Sequence, residues 1–164
     1  MSSIAVSSAP STPNNAFLAI FWGGLAAGIF DITQAMVAWH FQAGVKPIRI
    51  WQSVASGLLG PDSFKGGLKT AVLGGVLHFF IAFSAATVYY IASRKLTFMT
   101  SHAVLSGLLY GEAVFMFMYF VVLPLSRAGK VHYTTATIVT GPIGHVFLVG
   151  LPIALAVRRW APLK

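Results

Sequence analysis

Apolar residues in this chain run together rather than alternating with polar ones. Four such runs, at about 16–39, 70–93, 103–125 and 136–157, are each long enough to cross a bilayer core of about 30 Å, which takes roughly 20 helical residues. Interface-type residues close or follow three of them: Arg94 and Lys95, then Arg127 and Lys130, then Arg158, Arg159 and Trp160. The pattern predicts an all-α integral membrane protein, a four-transmembrane-helix bundle forming a single domain over residues 16–160. Between the first two runs the pattern changes. In residues 47–60, Ile48, Trp51, Val54, Ala55, Leu58 and Leu59 keep helical spacing, with Pro47 placed to start a helix and Gly60-Pro61 to stop it. That segment is too short to span, and it reads as one short interfacial amphipathic helix; a re-entrant or gating piece is the rival reading.

Residues 1–15 are rich in Ser, Pro and Asn and lack the basic and continuous apolar regions of a signal peptide, which predicts a disordered tail. Composition agrees with the bilayer: 57 % of the 164 residues are hydrophobic and 9 % charged, well outside the soluble norm. A formal net charge of +8 can signal nucleic acid, but the 11 Lys and Arg residues fall in small clusters at the ends of apolar runs. They read as membrane-flank anchors, so the expected partner is the lipid bilayer and not nucleic acid. There is no cysteine, hence no disulfide framework, thiolate metal site or redox clue. Lys46, Arg49, Lys65, Lys69, Arg127 and Lys130 on one side face Arg94, Lys95, Arg158, Arg159 and Lys164 on the other, so charge leaves the orientation open. An even number of spans puts both termini on the same side.

The runs also suggest a twofold repeat of helix pairs. Gly24-Leu-Ala-Ala-Gly28 in span one is echoed by Gly107-Leu-Leu-Tyr-Gly111 in span three. Gly74-Gly-Val-Leu-His78 in span two is echoed by Gly141-Pro-Ile-Gly144-His145 in span four, each continuing to Phe two residues later. Glycines at this spacing let helices approach closely, which makes Gly24, Gly28, Gly74, Gly107, Gly111, Gly141 and Gly144 candidate packing positions.

Only three residues are acidic, and two of them, Asp31 and Glu112, fall inside apolar runs. An ionised carboxylate in mid-bilayer costs about 2.5–3.5 kcal/mol on insertion scales, so such a group is expected to be protonated, paired or functional. Depth, counted at about 1.5 Å per residue, permits the pairs Asp31 with His78 and Glu112 with His145. Azimuth favours the first, because Asp31 and Gln34 share a stripe with Gly24, Ala27, Gly28, Ala35 and Ala38, and His78 shares one with Ala71, Gly74, Gly75, Ala82 and Ala85. Glu112 lies beside the Gly107 and Gly111 face rather than on it. Asp31, Gln34, His78, Glu112 and His145 are therefore candidates for proton or ion handling. The alternative is interhelical hydrogen bonding, typically about 0.6 kcal/mol each, which fixes packing without function. A third reading makes His78 and His145 the haem ligands of a small b-type cytochrome. No metal-ligand spacing, phosphate loop, nucleophile elbow or zinc-protease helix is present, so neither an enzyme nor a bound cofactor is expected. His40 and His102 lie near span ends and His132 in a loop, and all three read as interfacial or solvated.

The motif order GVLHFFIAFSAATVYYIAS around His78, GLLYG at 107–111, LPL at 123–125, and Gly144-His145 leading to Arg158-Arg159 resembles the YagU-like bacterial inner-membrane proteins, a domain family of unknown function. The resemblance covers residues 70–159, and Glu112 falls outside its pattern. It implies a multi-pass protein of the bacterial plasma membrane and supplies no catalytic residues. The combined expectation is a small proton-linked transporter or channel, with Pro142 and Pro152 breaking the fourth helix where it must move. The alternative is a non-catalytic membrane subunit or assembly protein, and so thin a bundle suggests a homo-oligomer or a place in a larger complex.

Overall fold

The computed structural model describes residues 15–129 and 135–162; the N-terminal polar stretch before Asn15, and Lys130, His132 and Lys164, lie outside them. Among the described residues there is no strand. Four helices are long and apolar enough to cross a membrane: span one Ala16–Ala43, span two Gly67–Lys95, span three Ala103–Leu125 and span four Ile138–Trp160. The protein is a multi-pass, all-α membrane protein.

Local chemistry sets the helix ends. Asn15 caps span one, its side-chain oxygen accepting from Leu18 N at 3.0 Å. Gly44 closes that helix in the left-handed conformation at φ 62°, a position where a side chain would be strained. The short helix Pro47–Leu59 opens with its proline and stops at Gly60, φ 69°. Span one continues to Ala43, one turn beyond the apolar run, so Trp39 and Gln42 remain helical.

Each apolar helix must place its small residues against a neighbour, and here span one is the centre. It packs on span two and on span four, and span three packs on span four. A methyl group added at Gly24 would strike the Phe83 ring, and one at Gly28 the Phe79 ring. In the other half, one at Gly107 would meet Ala154 and Gly150, and one at Gly111 the His145 carbonyl and Val146. The registers correspond: aligning His78 with His145 also aligns Phe79 with Val146 and Phe83 with Gly150. Both halves thus seat their Gly-x-x-x-Gly segment at the same level of the following helix.

Span two and span three, by contrast, stand apart. They are joined through Tyr110, whose hydroxyl donates to the Ala85 carbonyl at 2.7 Å and whose ring meets Tyr89 edge-on at 5.0 Å. The bundle is therefore closed on three sides and cleft on the fourth. It is also asymmetric from end to end. Ala19, Ala86, Tyr89, Met99, Ala103, Ile153, Val157 and Ala161 fill the end where span one begins and span four finishes. Asn15 N donates to the Trp160 carbonyl at 2.9 Å there, and Arg94 donates to the Ala161 carbonyl at 2.7 Å. The opposite end carries the short helix and is hollow.

That short helix does not simply float over the bundle. Its backbone crosses span two at Gly74, where an added methyl would fall on the Trp51 carbonyl, and Gln52 donates to the Gly67 carbonyl at 3.0 Å. The crossing lies seven residues into span two, about 10 Å along its axis. Gly74 thus serves the short helix rather than another span. Span four corrects a second expectation: it is not broken at its prolines. Pro142 sits inside the helix, and residues His145–Gly150 form a wider π-helical segment before Pro152. A proline withholds the N–H due to the carbonyl four residues earlier, and a wide turn is one way a continuous helix absorbs that loss. Span three repeats the device, with Met118–Val122 wide ahead of Pro124.

Candidate functional site

The hollow end contains a cavity of about 330 Å³ whose lining runs along span one from Ala27 to Gln42. Five elements build it, the short helix contributing Val54. Its polar lining comprises Asp31, Gln34 and Gln42 from span one, His78 from span two, Tyr119 from span three, and Thr140 and His145 from span four. Asp31 and Gln34 face inward because they continue the small-residue stripe that packs span one against its neighbours.

The central contact joins span one to span four. His145 Nδ1 lies 3.8 Å from Asp31 Oδ1, with both side chains about one-fifth exposed, at 22 % and 23 %. The same nitrogen lies 3.0 Å from the Gly141 carbonyl. A carbonyl can only accept, so Nδ1 carries the proton and Nε2 is left to take a second one. At 3.8 Å the carboxylate is within ion-pair reach but too far for a direct hydrogen bond. Phe115 fixes the imidazole from the side, its ring edge-on at 5.4 Å, and fills the space over Gly141. Gln34 lies against Gly144, where a larger residue would displace the amide.

This arrangement corrects both expected pairs. Asp31 meets His145 instead of His78, because span one has span four as a full neighbour as well as span two. His78 turns to the backbone: its Nε2–H donates to the Gly28 carbonyl at 2.8 Å, and its ring meets Trp51 and Phe79 edge-on. Glu112 is half-buried, lines neither this cavity nor the cleft, and has no hydrogen bond or ion pair among the described residues. The cause is azimuthal. Asp31 follows Gly28 by three residues and Glu112 follows Gly111 by one, a difference of about 200° around the helix. In the matched registers Glu112 takes the place of exposed Ile29, and Val114 takes that of Asp31.

Sequence reasoning missed Trp39, Gln42, Phe115, Tyr119 and Thr140 as lining residues. Gln42 was within reach, since it continues the Asp31, Ala35, Ala38 stripe by one more turn. Phe115 and Tyr119 were not, because the run Phe115 to Phe120 is apolar or aromatic on every face. Among the described residues no group of three or more His, Cys, Asp and Glu side chains is placed to hold a metal ion. Comparison of the chain with protein-family models, with curated proteins and with solved structures gives no match.

Proposed function

We propose that this protein is a small proton-linked transporter or channel, with Asp31 and His145 as its protonatable centre. The observation that carries this reading is the Asp31–His145 pair, 3.8 Å apart, in the wall of a cavity that reaches the interior of a bundle of apolar helices. With Nδ1 already protonated, His145 takes a second proton only at Nε2, and the imidazolium so formed would stand beside the Asp31 carboxylate, which offsets its charge in low-dielectric surroundings. The wide turn that starts at His145 supports the same reading, because such turns concentrate at functional positions. Gln34 lines the same cavity, and His78 supports its wall by tying span two to the Gly28 carbonyl of span one. Glu112 lies outside the pathway. The resemblance to the YagU-like proteins belongs to this proposal; it implies a bacterial plasma membrane and supplies no catalytic residues.

The test is acid-driven proton flux into liposomes at matched protein content. Flux above empty liposomes that is lost in Asp31→Asn and retained in Glu112→Gln is the expected result. Flux lost in Glu112→Gln and kept in Asp31→Asn would move the pathway to span three.

A specific observation favours a second reading, the assembly subunit. Glu112 is half-buried on a membrane helix and unpaired within the described chain, an arrangement that a partner chain or second copy would relieve. An oligomer whose mass in detergent falls in Glu112→Gln is its signature.

A further inference from the structure

A second cavity adjoins the polar one. Ile81, Ala85, Val114 and Met118 line both, and the second, of about 380 Å³, is the cleft between spans two and three. Beyond those shared residues the cleft is walled by Phe80, Val88, Phe117 and Val122, with Ser84 and Tyr110 supplying its hydroxyls. Each volume falls within the range of small-molecule sites, about 300–1,000 Å³. Because both flanking helices are apolar spans, the cleft admits molecules dissolved in the hydrocarbon region rather than in water.

The polar end has a definite sign. Among the described residues Asp31 is the one acid in the cavity lining, and no Lys or Arg joins it, although the chain as a whole carries +8. The aromatic rings of Trp39, Phe115 and Tyr119 line the same space, and aromatic faces attract cations. A phosphate or carboxylate headgroup would find no fixed positive partner there.

We infer that cavity and cleft form one site for a lipophilic monovalent cation, an amine or quaternary onium centre held by Asp31 with its apolar body in the cleft. This names a substrate class for the transporter reading and rests on it. Cation and proton compete for one carboxylate. His145, His78 and Tyr119 are the other titratable groups on this lining, from spans four, two and three. Charging either histidine adds positive charge and acts in the same direction, so binding strengthens as pH rises.

The experiment is equilibrium binding of tetraphenylphosphonium to the full-length protein in detergent at about pH 8 and about pH 5.5, which bracket ordinary histidine titration. Saturable binding at the higher pH is expected to weaken by about tenfold or more at the lower pH and in Asp31→Asn. Ala113→Phe, which narrows the cleft without touching the polar cavity, weakens it too, and tetramethylammonium, with no apolar body, binds far less well. Asp31→Glu keeps the charge and retains binding, which separates loss of the carboxylate from loss of fold. Uptake that is independent of pH and of Asp31 is partition into an apolar cleft and overturns the inference, as does absence of saturable binding to the wild type. Proton flux without phosphonium binding rejects this inference and keeps the transporter. Asp31-dependent binding without flux keeps the site and rejects the transporter.

Discussion

The five polar residues that sequence alone ranks together have different fates at the level of single side chains. His78 spends its Nε2 proton on the Gly28 carbonyl of the neighbouring helix, a 2.8 Å bond between spans one and two. Bonds of this kind average about 0.6 kcal/mol and reach about 1.7 kcal/mol, so His78→Leu should lower stability within that range. At about 2–4 °C per kcal/mol for a chain of this size, the thermal midpoint in detergent falls by a few degrees, and proton flux per folded protein persists. Flux abolished at unchanged stability would instead place His78 in the proton pathway. Asp31 is the opposite case. It faces a cavity and has no direct hydrogen bond among the described residues, so Asp31→Asn costs little stability while removing the carboxylate.

At the scale of helices, the ends were legible and the partners were not. Pro47 and Gly60 announce helix boundaries by chemistry that acts within a few residues, and the structure follows it, whereas span one runs four residues past its apolar stretch before Gly44 closes it. The inward azimuth of Asp31 was legible for the same reason, since Gly24, Gly28 and Ala35 share its stripe. Which helix would receive Asp31 was not, because span one has two full neighbours and nothing local to Asp31 distinguishes His78 from His145. The short helix shows the limit most clearly. Its amphipathic spacing is visible, but its backbone contact with span two depends on Gly74, a residue equally suited to packing a span. A side chain there must displace the Trp51 carbonyl, and overpacking of this sort costs about 1–3 kcal/mol even where side chains alone must shift. Gly74→Val should therefore lower the thermal midpoint by several degrees and expose the connection around residues 44–66 to protease. An unchanged midpoint and cleavage pattern would mean that the short helix is not held at this crossing.

For the whole molecule, the packed end and the hollow end define a direction. The aromatic and aliphatic core around Tyr89, Ile153 and Val157 closes the bundle where Leu96 connects spans, while the cavity reaches Gln42 and Thr140 beside the short helix. Asp31 is thus set toward the short-helix end rather than the packed end, which under the transporter reading corresponds to one state of an alternating-access carrier. The absence of cysteine makes this directly measurable with single-cysteine variants and a membrane-impermeant maleimide in sealed liposomes. Gln34→Cys, in the cavity, should label from the same side as Ser53→Cys on the exposed face of the short helix, and be protected from the side that labels Leu96→Cys. Imposing a proton gradient should then make Gln34→Cys reactive from the Leu96 side if the helices rearrange around the wide turns of spans three and four. Labelling from both sides without a gradient would indicate a continuous pore, and labelling from the short-helix side alone under every gradient would favour the assembly subunit. The two glycine-matched halves make the carrier outcome mechanically reasonable: each helix pair is locked internally, at Gly24 and Gly28 or at Gly107 and Gly111, while the seam between spans two and three is spanned chiefly by Tyr110. A motion that opened that seam would turn one pair against the other about the packing of span one on span four, where the Asp31–His145 contact lies.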